Sequence, residues 1–301
     1  MRFGVVGTGY WARTVHAPAL GAHRDAVLRG VWGRDGTKSA TLADELGVAA
    51  YPTLEAMLDD VEAVAIAVPP EVQATIAVTA ARQGKHLLLD KPLALSTAAA
   101  DQVVAAVADS GVRSLVFFTQ RFSDNIARWL GSCQGQDEWL SAHVRNFGAI
   151  YEPGNPFGES PWRRACGPLW DIAPHALSLV LPLLGPADRV FAERGVNDAV
   201  DLVVHHSAGG TSTLSLSLDS PAGSIGSYAQ FFGRAGQSLT PEATVTPLQA
   251  MGECISQLVA PMGAGRWRHP CDVRFGRDVV AVLEAAQRSL DTGHRQPVSG
   301  V

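Results

Sequence analysis

The 301 residues, 47% of them hydrophobic, are enough to bury one large core or two ordinary ones, and the length favours two domains. With a formal net charge of −5 and its 24 Lys and Arg scattered along the chain, the sequence has no basic stripe for a phosphate backbone, which argues against nucleic acid as a partner. Cys133, Cys166, Cys254 and Cys271 lie far apart with no Cys-x-x-Cys pair, which argues against a disulfide frame or a zinc site and predicts reduced thiols, no metal and a cytoplasmic protein.

Met1 to Val6 run straight into a strand without the apolar segment of a signal peptide, and no later stretch reaches the ~18 apolar residues of a membrane span, so no membrane is expected. Strands are predicted at Arg2 to Val6, Val27 to Trp32, Ala63 to Val68, His86 to Leu89 and Arg113 to Phe118, each too apolar to leave one face in water. Helical patterns lie between them at about Trp11 to Gly21, Lys38 to Leu46, Gln73 to Gln83 and Thr97 to Asp109. This alternation predicts a doubly wound parallel sheet, a Rossmann domain, over residues 1–119.

In residues 120–301 a helix near Ser123 to Gly131 precedes strands with period-two alternation, clearest in Thr211 to Leu218. The expected second domain is α+β, built on a large, mostly antiparallel open sheet with one buried face. Its Thr211, Thr213, Ser215 and Ser217 form a row of small polar side chains, open either to another subunit or to water. Ala176 to Leu184 reads as an apolar helix, and Asp272 to Thr292 as an amphipathic one with Val279, Val280, Leu283 and Ala286 on its inner side.

Directly after the first strand comes Gly7-Thr8-Gly9-Tyr10-Trp11-Ala12, a dinucleotide fingerprint with Ala in its permitted third place. Gly7 allows a tight turn, Gly9 lets backbone approach a pyrophosphate, and Ala12 keeps helix and strand close, while the helix N-terminus offers free N–H groups to the anion. An NAD site usually has Asp or Glu at the end of the second strand to hold the ribose 2′-hydroxyl, whereas this chain has Gly33-Arg34 there. The absence of that carboxylate removes its repulsion against a 2′-phosphate, and Arg34, with Lys38 at the start of the next helix, can pair with it. NADP(H) is thereby favoured over NAD(H); the alternative is that Arg34 is a solvated turn residue.

After His86-Leu87-Leu88-Leu89 comes Asp90-Lys91-Pro92, which puts Lys91 at the carboxyl end of a parallel strand, where open α/β sheets bind ligands. An ammonium there can donate to a substrate oxygen and stabilise a developing alkoxide, and the plain alternative is a surface lysine before a proline. In the second domain Asp171 and His175 stand four residues apart at the head of the apolar helix. If that helix starts near Asp171, with Pro174 in its first turn, both project from one face; Asp171 can then cap the helix and His175 can act as a general acid/base. A cap and a packed imidazole fit the same pattern equally well. His205 and His206 are adjacent on a strand, point to opposite faces and cannot easily share a metal.

Taken in order, the fingerprint followed by His16-Ala17-Pro18-Ala19-Leu20, then Asp90-Lys91-Pro92, Gln120-Arg121-Phe122, Trp162-Arg163, Asp171-x-x-x-His175 and the tail His269 to Gly276 resemble the glucose-fructose oxidoreductase/inositol dehydrogenase/rhizopine catabolism (Gfo/Idh/MocA) family over essentially the whole chain. The resemblance implies Lys91 and His175 as the catalytic pair with Asp171 assisting. It puts Pro69, Pro70, Asp90 and Gln120 at the cofactor, and Trp162 and Arg163 near the nicotinamide or substrate. It also implies hydride transfer between NADP(H) and a CH–OH or C=O carbon of a sugar, cyclitol or related small metabolite, in a homodimer or homotetramer formed through the open sheet. The alternatives are reduction of a C=N or non-sugar keto group in a biosynthetic pathway, and a non-catalytic NADP-binding regulator. Two departures stand out: Asp90 replaces the usual Glu, and Cys166-Gly167-Pro168 interrupts the usual glycine run before Asp171.

Overall fold

Apolar strands that need cover on both faces dictate the first of two compact units. The computed structural model describes residues 1–134, 138–261 and 267–300. Strands β1 (Arg2–Val6), β2 (Val27–Trp32), β3 (Ala49–Ala50), β4 (Ala63–Ile66), β5 (His86–Asp90) and β6 (Ser114–Phe117) form a parallel sheet of order β3-β2-β1-β4-β5-β6. In this doubly wound order the winding reverses between β1 and β4, and ligands bind at the carboxyl ends there. Every residue of β4 is fully buried, as its uninterrupted apolar run requires.

Helices α1 (Ala17–Ala22), α2 (Gly36–Leu46), α4 (Pro70–Arg82) and α5 (Thr97–Ser110) occupy the expected stretches. Asp35 caps α2 and Ser96 caps α5, each side chain accepting a backbone N–H of the first turn. The two-residue β3 and helix α3 (Leu54–Asp60) carry too short a pattern to be expected from the sequence. Thr53 caps α3, which buries Leu54, Met57 and Leu58.

The second unit contains α6 (Asp124–Gln134), β7 (Trp139–Phe147), α7 (Pro161–Asp171), α8 (Ala173–Leu184), β8 (Ala187–Arg194), β9 (Val200–His206), β10 (Thr211–Ser217), β11 (Gly226–Gly233), β12 (Gly236–Leu239) and β13 (Gln296–Pro297). Its sheet has the order β12-β11-β7-β10-β9-β8-β13, with all neighbours antiparallel except β7 and β10. Leu202, Val204, Leu214, Leu216, Ala229 and Phe231 line its buried face. Thr211, Thr213 and Ser215 lie on the open face, but Ser217 does not complete the row: it is buried and its hydroxyl donates to Asp198 at 2.7 Å. His206 is buried between the Gly185 carbonyl at 2.8 Å and the Ser212 hydroxyl at 2.9 Å, while His205 stays partly exposed on the other face, as the strand alternation required.

The second domain is not the continuous stretch 120–301 that the sequence suggested. Residues up to Ser123 belong to the first unit, and Thr244–Arg277 returns to it. The reason is the apolar side of α9 (Pro247–Val259), where Ala250, Met251, Cys254, Ile255 and Leu258 are fully buried. Arg113 fastens its end, donating to the Leu258 and Ala260 carbonyls at 2.7 Å. Helix α10 (Val273–Thr292) runs on from there, with Val279, Val280, Leu283 and Ala286 fully buried as expected. No described helix is long and apolar enough to cross a membrane, and among the described residues no group of His, Cys, Asp and Glu is placed to hold a metal ion.

Burial pushes the pKa of His16, His86, His206 and His269 below the ordinary imidazole value, His269 to about 4 with Arg121 adding to the effect. At His269 the Cys271 N–H donates to Nδ1 at 3.0 Å and Nε2 faces the Gln257 Oε1 at 2.7 Å, an arrangement that only the neutral ring satisfies. Because the folded-state values lie below the unfolded ones, the unfolded chain takes up these protons first. Stability is therefore complete above about pH 6.5 and falls as pH drops from there toward 4. Urea midpoints should decrease between about pH 7.5 and pH 5, with a shallower decrease in His269→Gln; a midpoint that held steady would contradict this account.

Candidate active site

The loops after β1, β2, β4 and β5 carry Gly7 to Ala12, Gly33-Arg34, Pro69-Pro70 and Asp90-Lys91 to one edge of the parallel sheet. Gly7 has φ +121°, and a Cβ there would stand 2.3 Å from the Ala67 carbonyl oxygen, so no other residue fits. Its N–H donates to the Trp32 carbonyl at 2.8 Å. Gly9 is the opposite case: around the place its Cβ would take, space is open to 4 Å, leaving the backbone accessible to a ligand. Tyr10 and Trp11 open the helix, with the Arg13 N–H returning to the Gly9 carbonyl at 3.0 Å, and Ala12 is fully buried against the sheet. Over Ala12–His16 the helix widens to i→i+5 turns, of the kind that cluster at functional sites. His16, fully buried, bonds the Trp11 carbonyl through Nδ1 at 3.1 Å, while its Nε2 has no hydrogen-bond partner among the described residues.

Gly33 packs on Thr8, where a Cβ would stand 3.0 Å from the threonine methyl. Arg34 and Lys38 are both exposed, and beside Arg34 lies an open groove of about 490 Å³ lined by Trp32, Tyr51, Pro52 and Glu55 among others. Lys38 is shared: its N–H is held by the Asp35 carboxylate at 3.1 Å and its ammonium lies 3.8 Å from the same group. Such an exposed pair is worth little, so the ammonium can still turn to an anion. Pro69 and Pro70 start α4, Pro69 exposed and Pro70 buried.

Lys91 follows β5 on a loop held from below. The buried Gln73 amide of α4 bonds Asp90, Pro92 and Leu93, and the Lys91 N–H donates to Asp90 Oδ1 at 2.8 Å. Gln73 is a site residue that the sequence motifs do not reveal. Its one signal is a glutamine on the inner face of α4, in line with the buried Ala77, Ala80 and Ala81. Gln120 lies in the short turn Thr119–Phe122 after β6.

The second unit gathers Trp162, Arg163, Asp171 and His175 around the junction of α7 and α8. Gly167 (φ 63°, ψ −166°) breaks α7, a conformation that the Cys166-Gly167-Pro168 departure supplies. Asp171 is the last residue of α7 and does not cap α8, whose N-cap is Ile172. Its carboxylate instead accepts from Arg163 Nε at 3.0 Å, both side chains being nearly buried, while Pro174 has no N–H to offer and the His175 N–H already donates to the Ile172 carbonyl at 3.1 Å. The Arg163 guanidinium stacks 4.9 Å from Phe157 and 5.1 Å from Trp162. His175 is the third residue of α8, after Pro174 in the first turn as expected, and stays half-buried.

A doubly wound sheet with an open glycine turn at its switch point, joined in one chain to a mixed-sheet domain, is the architecture of a two-unit protein with a Rossmann-type nucleotide-binding edge. Residues 1–118 match the profile of an oxidoreductase family with an NAD-binding Rossmann fold, named for Gfo, Idh and MocA. The D-xylose 1-dehydrogenase (NADP(+)) 2 of Haloferax volcanii is 29% identical over 234 residues, 73% of this chain and 70% of that one. The UDP-N-acetylglucosamine 3-dehydrogenase of Acidithiobacillus ferrooxidans is 29% identical over 205 residues, 67% of this chain and 61% of its own length. The solved WlbA dehydrogenase of Bordetella pertussis, 20% identical, has the same fold with a TM-score of 0.83 over 100% of this chain and 98% of that one. Over those 118 residues the chain matches the Gfo/Idh/MocA oxidoreductases, and the two relatives carry the likeness beyond them.

Removing Arg163 takes the guanidinium from beside a buried carboxylate. Arg163→Leu should cost about 3 to 5 kcal/mol in urea unfolding, and adding Asp171→Asn should recover part of it; a loss under about 1 kcal/mol would mean the pair does not hold the junction.

Proposed function

We propose that the protein is an NADP(H)-preferring oxidoreductase that moves a hydride between the nicotinamide and a CH–OH or C=O carbon of a sugar, cyclitol or related small metabolite. The observation that carries this reading is the open backbone at Gly9, at the sheet's switch point, with Lys91 on the same carboxyl edge. The residues present fit the cofactor. Gly7, Thr8, Gly9, Tyr10, Trp11 and Ala12 would hold its pyrophosphate on the helix N-terminus, and Gly33, Arg34 and Lys38 its 2′-phosphate. Pro69, Pro70, Asp90, Gln120, Trp162 and Arg163 are proposed as further cofactor contacts. When bound, the nicotinamide supplies or accepts the hydride.

The chain's own residues do the remaining work. Lys91 donates to the substrate oxygen and stabilises the negative charge that builds on it. His175 takes the hydroxyl proton in oxidation and returns it in reduction. Asp171, gripped by Arg163, assists by fixing the start of the helix that carries His175.

The Haloferax relative is named for D-xylose and NADP(+) and the Acidithiobacillus relative for a nucleotide sugar, and both names support a polyhydroxylated substrate. The reading includes a cytoplasmic location and a homodimer or homotetramer through the open face of the second sheet. There Tyr228 is 40% exposed beneath the Arg145 guanidinium, and Phe232 packs on His143, an aromatic surface suited to a second copy.

In fluorescence titrations Arg34→Ala should weaken NADPH about tenfold to a hundredfold and leave NADH unchanged; equal loss for both would remove the 2′-phosphate role. Across a panel of aldoses, cyclitols and nucleotide sugars, His175→Ala should lower kcat by about 10² to 10⁴-fold at nearly constant NADPH affinity, and full turnover would sink its assignment as the acid/base.

A further inference from the structure

Beyond Asp90 the chain leaves the β5 ladder, and its carbonyl groups need partners from elsewhere. They find them in one side chain. Gln73, 1% exposed, accepts the Asp90 N–H through Oε1 at 3.0 Å. The two hydrogens of its Nε2 face three carbonyls, those of Asp90 at 2.8 Å, Pro92 at 3.0 Å and Leu93 at 3.3 Å, so that one hydrogen is shared between two of them. A primary amide, with an acceptor oxygen and two donor hydrogens on one planar group, is suited to meet an N–H and several carbonyls at once. These bonds fall on both sides of Lys91, and all of them are made to backbone. Closing off the strand would need only the bonds at Asp90; those to Pro92 and Leu93 reach past the lysine.

We infer that Gln73 is a positioning residue that sets the direction in which Lys91 leaves β5, and through Lys91 the reaction rate. The inference rests on the role proposed above for Lys91. Gln73 lies in the first turn of α4, three residues after Pro70, so one helix start carries Pro69-Pro70 at one loop of the edge and holds the lysine's loop at another. Gln73→Leu removes the whole clamp. Gln73→Glu keeps the acceptor but turns a carboxylate on three carbonyls. Gln73→His keeps one donor and one acceptor in its neutral form.

The test uses the chain's three lysines, Lys38, Lys85 and Lys91, as internal references. Trace acylation with acetic anhydride, read by peptide mass spectrometry on the full-length protein, reports each amine separately. In Gln73→Leu and Gln73→Glu the Lys91 rate should shift by about fivefold or more, with Lys38 and Lys85 unchanged, and Gln73→His should return Lys91 toward its wild-type rate. An unchanged Lys91, or all three lysines moving together, would overturn the inference in favour of a purely structural glutamine. If Gln73→Leu does not fold, the contrast between Gln73→Glu and Gln73→His decides between the same two outcomes. Turnover separates this inference from the reading beneath it. Lys91→Ala with full activity defeats the role of Lys91 whatever the labelling shows. If Lys91→Ala is inactive while every Gln73 variant keeps wild-type kcat, the function stands and the positioning role falls.

Discussion

The edge of the parallel sheet depends on a turn so tight that a carbonyl oxygen occupies the space of a side chain. At Gly7 the Ala67 carbonyl fills the place of a Cβ, and the residue's N–H is spent on the Trp32 carbonyl. One residue thereby joins the ends of β1, β2 and β4, the strands on either side of the point where the winding reverses. Because Gly7 turns so sharply, the next helix starts only three residues on, at Tyr10, and its unsatisfied N–H groups emerge beside the open backbone of Gly9. Adding a methyl group at Gly7 would push apart the strands that a dinucleotide has to lie across.

The same edge shows a general consequence of ending a buried strand. Past its last ladder bond, the backbone still carries donors and acceptors that water does not reach, and each must be met by a side chain. Gln73 meets those beyond β5, and Asp35 caps the start of α2, where the backbone is exposed. These groups are needed for folding, and they also fix where Arg34 and Lys91 leave the backbone. In the second unit the Arg163–Asp171 pair has a comparable part. It joins the two pieces of α7 on either side of the Gly167 break to the start of α8, holding the turn from which His175 projects.

Much of this is legible in the sequence. The β1, β2 and β5 runs, the fingerprint, Gly33-Arg34 in place of an acidic residue at the end of β2 and the lysine after β5 are local patterns: each is set by periodicity or by a residue at a fixed offset from a strand. The antiparallel character of the second sheet follows from the alternation of β10, although the parallel pairing of β10 with β7 does not, because alternation reports burial and not strand direction. Ser217 departs from its expected place for a related reason: the end of β10 turns toward Asp198, and no period along one strand registers a partner from another.

The sequence by itself determined the doubly wound parallel character of the first sheet, the address of the cofactor turn and the residue types available for proton transfer, since these are written in spacings of a few residues. Only the tertiary structure decided that Thr244–Arg277 belongs with the first unit, that Asp171 answers to Arg163 instead of capping a helix, and that Gln73 holds the loop of Lys91. Each of these is a pairing between residues eight or more positions apart, chosen by which buried donor, acceptor or apolar face had to be satisfied once the chain had closed around it.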